Sequence, residues 1–281
     1  MKKGINIWSF REGMPIAECI QLAKSAGFEG IELALNEQGE LSLEATEKEL
    51  LGIKSRLAES GLELCGLATG LYWTYSMTSD SAAIRAKAID IGKKQLETAA
   101  LLGADTILVI PGAVGVDFIP DHPVVDYDRA YDRALEAIAI LAEEAKQTGV
   151  NIGIENVWNK FLLSPLELRG FIDAVGSDYV GSYLDVGNVV FVGYPEQWVR
   201  ILGHRIKKVH LKDYRRSAGG LHGFVDLLAG DVDYPAVIEA LHEVGYEGYV
   251  TAEMIPPYTH HAEQIIYNTS ASIDAILGRG R

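Results

Sequence analysis

Residues Tyr127–Val157 read YDRAYDRALEAIAILAEEAKQTGVNIGIENV, and their reading decides the fold. Ala134, Ile138, Leu141 and Ala145 recur at spacings of four, three and four, the period of one helix face, and Gly149 stands where a helix is expected to stop. Directly beyond it, Ile152 and Ile154 alternate with Asn151, Gly153 and Glu155, the period of a strand. A long amphipathic helix running into a short strand is one step of an alternating β/α chain.

The same step recurs in both directions. Strands are predicted at 5–10, 30–35, 62–68, 106–111, 151–157, 181–186, 207–212 and 249–254, each followed by a helical pattern, with further helix stops at Gly27, Gly61, Gly103 and Gly245. Eight such units in 281 residues fit a (β/α)₈ TIM barrel, a fold that commonly takes about 250 residues as one domain. No linker or low-complexity tract divides the chain, so residues 1–281 are read as one domain. Ser217–Gly230, Gly-rich and aperiodic, is read as a long loop after the seventh strand.

Strand parity then separates core from site. Ile5 and Ile7, Ile31 and Leu33, Ile152 and Ile154, Val209 and Leu211, and Val250 and Ala252 are expected to face the helices. The opposite parity turns Asn6, Glu32, Glu155, Asp185, His210 and Glu253 into the barrel. Ionisable groups there are costly unless paired or bound to metal, and such barrels carry their active sites at the C-terminal ends of the strands.

Hydrophobic residues make up 48% and charged residues 23%, the balance of a folded protein with a large core. A formal net charge of −14 argues against a nucleic-acid partner, which would draw Lys and Arg to phosphates, and favours a small molecule. Cys19 and Cys65 lie in apolar stretches and read as buried thiols. The apolar run 4–10 is broken by Arg11 and Glu12, too short for a signal-peptide core or a membrane span, so a cytoplasmic location and no membrane contact are expected.

Four predicted strand ends carry the chemistry: Gly153-Ile154-Glu155-Asn156, Tyr183-Leu184-Asp185-Val186-Gly187-Asn188, Val209-His210-Leu211-Lys212-Asp213 and Val250-Thr251-Ala252-Glu253. One strand-end acid is usually a helix cap or an ion-pair partner. Four residues of ligating type on four consecutive strands point instead to one divalent metal ion held by Glu155, Asp185, His210 and Glu253. An oxygen-rich set with one imidazole suits Mn²⁺, Co²⁺ or Mg²⁺ and tolerates Zn²⁺.

These segments, with Gly30-Ile31-Glu32-Leu33 and Gly230-Asp231-Val232-Asp233-Tyr234, resemble the sugar phosphate isomerase/epimerase group of xylose isomerase-like barrels over nearly the whole chain. The resemblance implies that Glu155, Asp185, His210 and Glu253 bind the ion, Mn²⁺ foremost, and that Glu155 and Glu253 also act as the acid/base pair. It implies a sugar or sugar phosphate as substrate, and a dimer or tetramer. Removing a proton beside a carbonyl makes an enediolate, whose charge a metal stabilises by several kcal/mol; return of the proton inverts a centre or moves the carbonyl. Free-ketohexose 3-epimerases usually carry a second Glu after the fifth strand and a His three residues after the sixth-strand Asp. Here Phe161 and Leu162 stand near the first position and Asn188 at the second, which shifts the reading toward the sugar-phosphate branch.

For the substrate, Asn188 is expected to bind a hydroxyl, Lys212, Arg215 and Arg216 a phosphate, and Trp8 and Trp158, with Trp73, to form walls. His260-His261, placed at the start of the last helix, is not expected to bind metal, because adjacent helical residues face different ways. The rivals are an inosose-type dehydratase, a hydroxypyruvate-type isomerase and a non-catalytic carbohydrate-binding barrel. An endonuclease IV-type enzyme, which needs histidines early in the barrel, is excluded because no His precedes His122.

Overall fold

The computed structural model describes residues 1–255 and 258–280. Eight strands close into a parallel barrel: β1 (Lys2–Asn6), β2 (Gly30–Ala34), β3 (Glu63–Ala68), β4 (Thr106–Val109), β5 (Asn151–Glu155), β6 (Val180–Asp185), β7 (Ile206–Leu211) and β8 (Tyr249–Ala252). Each pairs with its neighbour in sequence, and β8 returns to β1. The crossovers are α1 (Ile16–Ser25), α2 (Glu47–Ser60), α3 (Ala82–Leu102), α4 (Tyr127–Thr148), α5 (Pro165–Val175), a one-turn α6 (Val186–Val190), α7 (Pro195–Leu202), α8 (Tyr234–Glu243) and α9 (Gln264–Ile276).

Local chemistry sets these boundaries. Helix α2 begins with a reciprocal cap between Thr46 and Glu49, and α3, α5 and α8 begin on the side chains of Ser81, Ser164 and Asp233. Helices α2, α3 and α4 end on Gly61, Gly103 and Gly149, all with positive φ.

Several strands stop short of their predicted ends. Strand β1 ends at Asn6 rather than Phe10, because the Asn6 side chain accepts the Trp8 N–H (2.7 Å) and turns 7–9 into a 3₁₀ helix, so Ile7 does not extend the outward face. Strand β6 ends at Asp185, whose Oδ1 accepts the Asn188 N–H (2.9 Å) and starts α6. The segment read as an unstructured loop holds part of a two-stranded ladder, Asp213–Tyr214 against Phe224–Val225. One buried carboxylate organises it: Asp213 accepts the N–H groups of Tyr214, Leu228, Gly230 and Val232 at 2.9–3.1 Å. A side chain at Gly230 would overlap that carboxylate.

The predicted parity holds in the barrel strands. Ile5, Ile31, Leu33, Ile152, Ile154, Val209, Leu211, Val250 and Ala252 are fully buried in the shell beneath the helices. Inside, Tyr183 of β6 reaches across the barrel and donates to Glu32 of β2. Two glycines clear its path: a Cβ at Gly66 would lie 2.5 Å from Glu32 Oε2 and 2.8 Å from the Tyr183 hydroxyl, and one at Gly153 would lie 2.7 Å from the Tyr183 ring. Filling such space forces off-rotamer side chains or backbone shifts. Gly66→Ala is therefore expected to cost about 1–3 kcal/mol and several degrees of Tm. An unchanged Tm by calorimetry would show that Tyr183 does not need the clearance.

Candidate metal centre

Glu155 and Asp185 close β5 and β6, His210 lies one residue before the end of β7, and Glu253 one residue beyond β8. All four are buried, and one ligand atom from each lies within 4.8 Å of the others. His210 Nδ1 is 3.1 Å from Glu253 Oε2, 3.6 Å from Glu155 Oε1 and 3.9 Å from Asp185 Oδ2.

The other face of that imidazole is pinned. His210 Nε2 lies 2.8 Å from Glu32 Oε1, which also accepts from Asn6 Nδ2 at 2.5 Å, while Glu32 Oε2 takes the Tyr183 hydroxyl. Glu32 is fully buried, so these contacts must replace its hydration. The arrangement fixes the ring and leaves Nδ1 aimed at the carboxylates, the carboxylate–histidine pairing that orients ligands in metal sites.

Asp185 Oδ2, His210 Nδ1 and Glu253 Oε2 are buried without a hydrogen-bond partner among the described residues. The two oxygens have ion-pair contacts alone, to Lys212 Nζ at 3.1 and 2.7 Å and to His210 Nδ1 at 3.9 and 3.1 Å. Orphaned donor atoms of the right types converging on one point fit a divalent cation, with three oxygen ligands and one nitrogen.

The electrostatics show the same demand for positive charge. Burial works against a His210 cation, yet Glu32, Glu155 and Glu253 hold its pKa well above 6.5. Burial likewise opposes the Lys212 ammonium, but Asp185, Glu253 and Glu155 raise its pKa. The two glutamates differ: burial pushes Glu155 up to about 7, whereas for Glu253 the cost of burial is outweighed by Lys212 and His210, which bring it down to about 2. Burial also raises Asp185.

A cavity of about 530 Å³ opens above the centre, within the range of small-molecule sites. Glu155, Glu253 and Lys212 stand among its lining residues, together with Trp8, Trp73 and Trp158. Asn188 lines it too, with its Nδ2 donating to Asn156 O (3.0 Å). Arg215 and Arg216 do not line it. The ladder carries them away, and their guanidinium groups bind Ala229 O (2.7 Å) and Val190 O (3.0 Å), so neither is placed to receive a phosphate at this cavity.

Phe161 and Leu162 are buried in the loop after β5. His260 and His261 are exposed and precede α9 rather than starting it. Sequence reasoning missed Phe118, Leu221, His222, Phe224 and Ile255 in the lining, all on segments without periodicity. It turned Glu32 and Asn6 inward without giving them a role, although their parity was visible.

A family described as xylose isomerase-like TIM barrel matches residues 20–273. The putative L-ribulose-5-phosphate 3-epimerase SgbU of Escherichia coli (strain K12) is 28% identical over 244 residues, covering 84% of this chain and 82% of that protein. The L-ribulose-5-phosphate 3-epimerase UlaE of Escherichia coli (strain ATCC 8739) is 24% identical over 262 residues, covering 90% and 88%. Among solved structures, D-psicose 3-epimerase with D-tagatose from Clostridium cellulolyticum H10 superposes with a TM-score of 0.81 at 17% identity over 99% of both chains, a likeness of fold. Matched over most of its length, the chain belongs to the xylose isomerase-like TIM barrel family.

Proposed function

We propose that the protein is a divalent-metal-dependent isomerase/epimerase of a sugar or sugar phosphate, of the ketose 3-epimerase type, with Glu155 and Glu253 as its acid/base pair. It is a sugar isomerase/epimerase by its relatives, whose names describe pentulose-phosphate 3-epimerases. The observation that carries the reading is the convergence of four buried ligand groups, three of their atoms unpartnered, at the floor of a cavity sized for a sugar.

Glu155, Asp185, His210 and Glu253 would hold the ion. When bound, it supplies a Lewis acid beside the substrate carbonyl, which lowers the cost of enediolate charge by several kcal/mol. Mn²⁺ heads the candidates for a set of this hardness, with Co²⁺, Mg²⁺ and Zn²⁺ behind it. Glu155 and Glu253 rise from strands three apart in the ring, so their carboxylates can address a substrate carbon from different sides. Both carboxylates line the cavity, so one can accept a proton and the other return one. Lys212 holds Glu253 ionised, and Trp8, Trp73 and Trp158 supply apolar faces for a sugar ring while narrowing the access of water.

An inosose-type dehydratase or a hydroxypyruvate-type isomerase would use the same centre and differ in the fate of the carbanion. A non-catalytic carbohydrate-binding barrel is disfavoured because both glutamates are present and buried in the centre. The reading includes one barrel unit over residues 1–281, a cytoplasmic location and a homo-dimer or homo-tetramer. Among the described residues no helix is long and apolar enough to cross a membrane.

Chelation is expected to abolish solvent deuterium incorporation beside the carbonyl of a ketose or ketose phosphate and to lower Tm, with Mn²⁺ restoring both. Exchange that survives complete chelation would remove the metal from the mechanism, and the labelled carbon separates epimerase from isomerase. Glu155→Gln and Glu253→Gln should each lower kcat at least about a hundredfold, the typical contribution of a positioned acid or base, with the far-ultraviolet spectrum unchanged. Near-normal kcat in either variant would end the two-glutamate mechanism. Glu32→Gln, which keeps the shape but not the charge, should weaken Mn²⁺ binding by about 10- to 100-fold in calorimetry. Unchanged affinity would show that His210 is oriented without it.

A further inference from the structure

The cavity above the carboxylates does not end at its aromatic wall. A second cavity of about 510 Å³ adjoins it, and Phe118, Val157, Trp158, Asn188 and Leu221 line both. Its far side is made by Leu162, Leu163, Phe191, Val192 and Trp198, from the loops after β5 and β6 and from α7. Around it Leu163, Phe191, Val192 and Leu221 lie open to solvent, Val192 at 67% exposure. Several large apolar side chains exposed around one depression mark a binding surface rather than ordinary scatter.

Most polar groups of this second cavity are already engaged, Asn188 Oδ1 excepted. Asn156 exchanges two hydrogen bonds with the backbone of Asp185, Asn188 Nδ2 donates to Asn156 O, and Trp158 Nε1 donates to Asn188 O. Its Lys160 is paired with Asp117 at 2.6 Å. In the first cavity Lys212 lies between Asp185 and Glu253 and the His222 ring is a further polar side chain, while outside it the guanidinium groups of Arg215 and Arg216 are bound to main-chain carbonyls. A phosphate needs several free donors, and a second hydroxylated ring needs matching hydrogen bonds. A flat apolar group needs only surface and exclusion of water, which is what these walls offer.

We infer that the second cavity receives an uncharged apolar substituent, aryl or alkyl, carried by the keto sugar at the end remote from its reacting carbonyl. The substrate class is then a hydrophobic ester, ether or glycoside of a keto sugar rather than a sugar phosphate. In a glycoside the anomeric carbon is masked, so the reacting carbonyl stands elsewhere on the ring. The inference rests on reading the centre as a sugar isomerase/epimerase and names the substrate end that this site accepts. The five residues shared by the linings of the two cavities, which set the second directly beside the first, favour a substituent of the substrate over a second copy of the chain as the occupant.

The test is calorimetry of the Mn²⁺-loaded protein with D-fructose, D-fructose 6-phosphate and 6-O-benzoyl-D-fructose. The benzoyl ester is expected to bind at least about tenfold more tightly than D-fructose, as burial of one aromatic ring allows, and the phosphate no more tightly. Val192→Glu and Leu163→Glu, both on the far side of the second cavity and outside the metal centre, should each remove the benzoyl advantage while leaving D-fructose binding within about twofold. Equal or undetectable binding of ester and parent sugar overturns the inference, as does tightest binding of the phosphate. A dimer that dissociates in Val192→Glu with the ligand preference intact also overturns it and assigns the patch to a second copy. Deuterium exchange on the same samples separates the two readings: no exchange with a preserved benzoyl preference sinks the isomerase/epimerase assignment alone, whereas exchange without the preference sinks only the apolar subsite.

Discussion

The contact on which the rest of the centre depends is the one between Glu32 and His210, 2.8 Å long and shielded from solvent at both ends. A carboxylate inside a barrel must recover in hydrogen bonds what it loses in hydration, and Glu32 does so with an imidazole, an amide and a phenol. Each partner comes from a different strand, so satisfying one charge ties β1, β2, β6 and β7 to one another. The phenol reaches Glu32 only because β3 and β5 present glycines at the level where Tyr183 crosses. The floor of the site is thus settled by a local requirement of electrostatics, and the direction of His210 Nδ1 follows from it.

Above that floor the requirement is reversed. Glu155, Asp185 and Glu253 bring negative charge into a volume that offers little water, and the chain answers with Lys212 two residues after His210. Lys212 needs room beside α6, and Gly187 provides it: a side chain there would overlap Lys212. The Asp185-Val186-Gly187-Asn188 segment therefore has a physical reading. Asp185 caps the one-turn helix with one oxygen and faces the centre with the other, and the glycine lets the turn pack against the lysine that neutralises it. A buried ammonium alone is a costly partner for two carboxylates, and a divalent cation at the same point compensates more charge in less space.

Much of this was legible in the sequence because it follows from periodicity. Strand parity separated Ile152 and Ile154 from Glu155, and Val209 and Leu211 from His210, and the convergence of the four candidate ligands needed only the closure of the barrel. Strand ends were less legible, since β1 and β6 stop where a side chain captures a backbone N–H, at Asn6 and Asp185, and period alone does not register such a capture. The loops were least legible. Arg215 and Arg216 looked like phosphate donors because they follow His210 closely in sequence, but Asp213 gathers four N–H groups, one from Tyr214 and the others 15 to 19 residues onward, and the resulting ladder turns both guanidinium groups toward main-chain carbonyls.

That ladder connects the chemistry to the choice of ligand. In the run His210-Leu211-Lys212-Asp213 the first residue faces the ion site, the second packs in the core, the third neutralises two ligands and the fourth organises the loop that carries Leu221 and Phe224 to the cavity. The base of the loop is anchored through backbone N–H groups on Asp213, at Leu228, Gly230 and Val232, so Leu221 at its tip can change without disturbing the anchor. The floor of the cavity is fixed by buried charge, whereas its loop side chains are held by the ladder and by aromatic packing, Phe224 stacking on Trp158 at 5.1 Å. A barrel built this way can keep its buried charged centre while the loop side chains around the cavity change, because the two answer to different constraints.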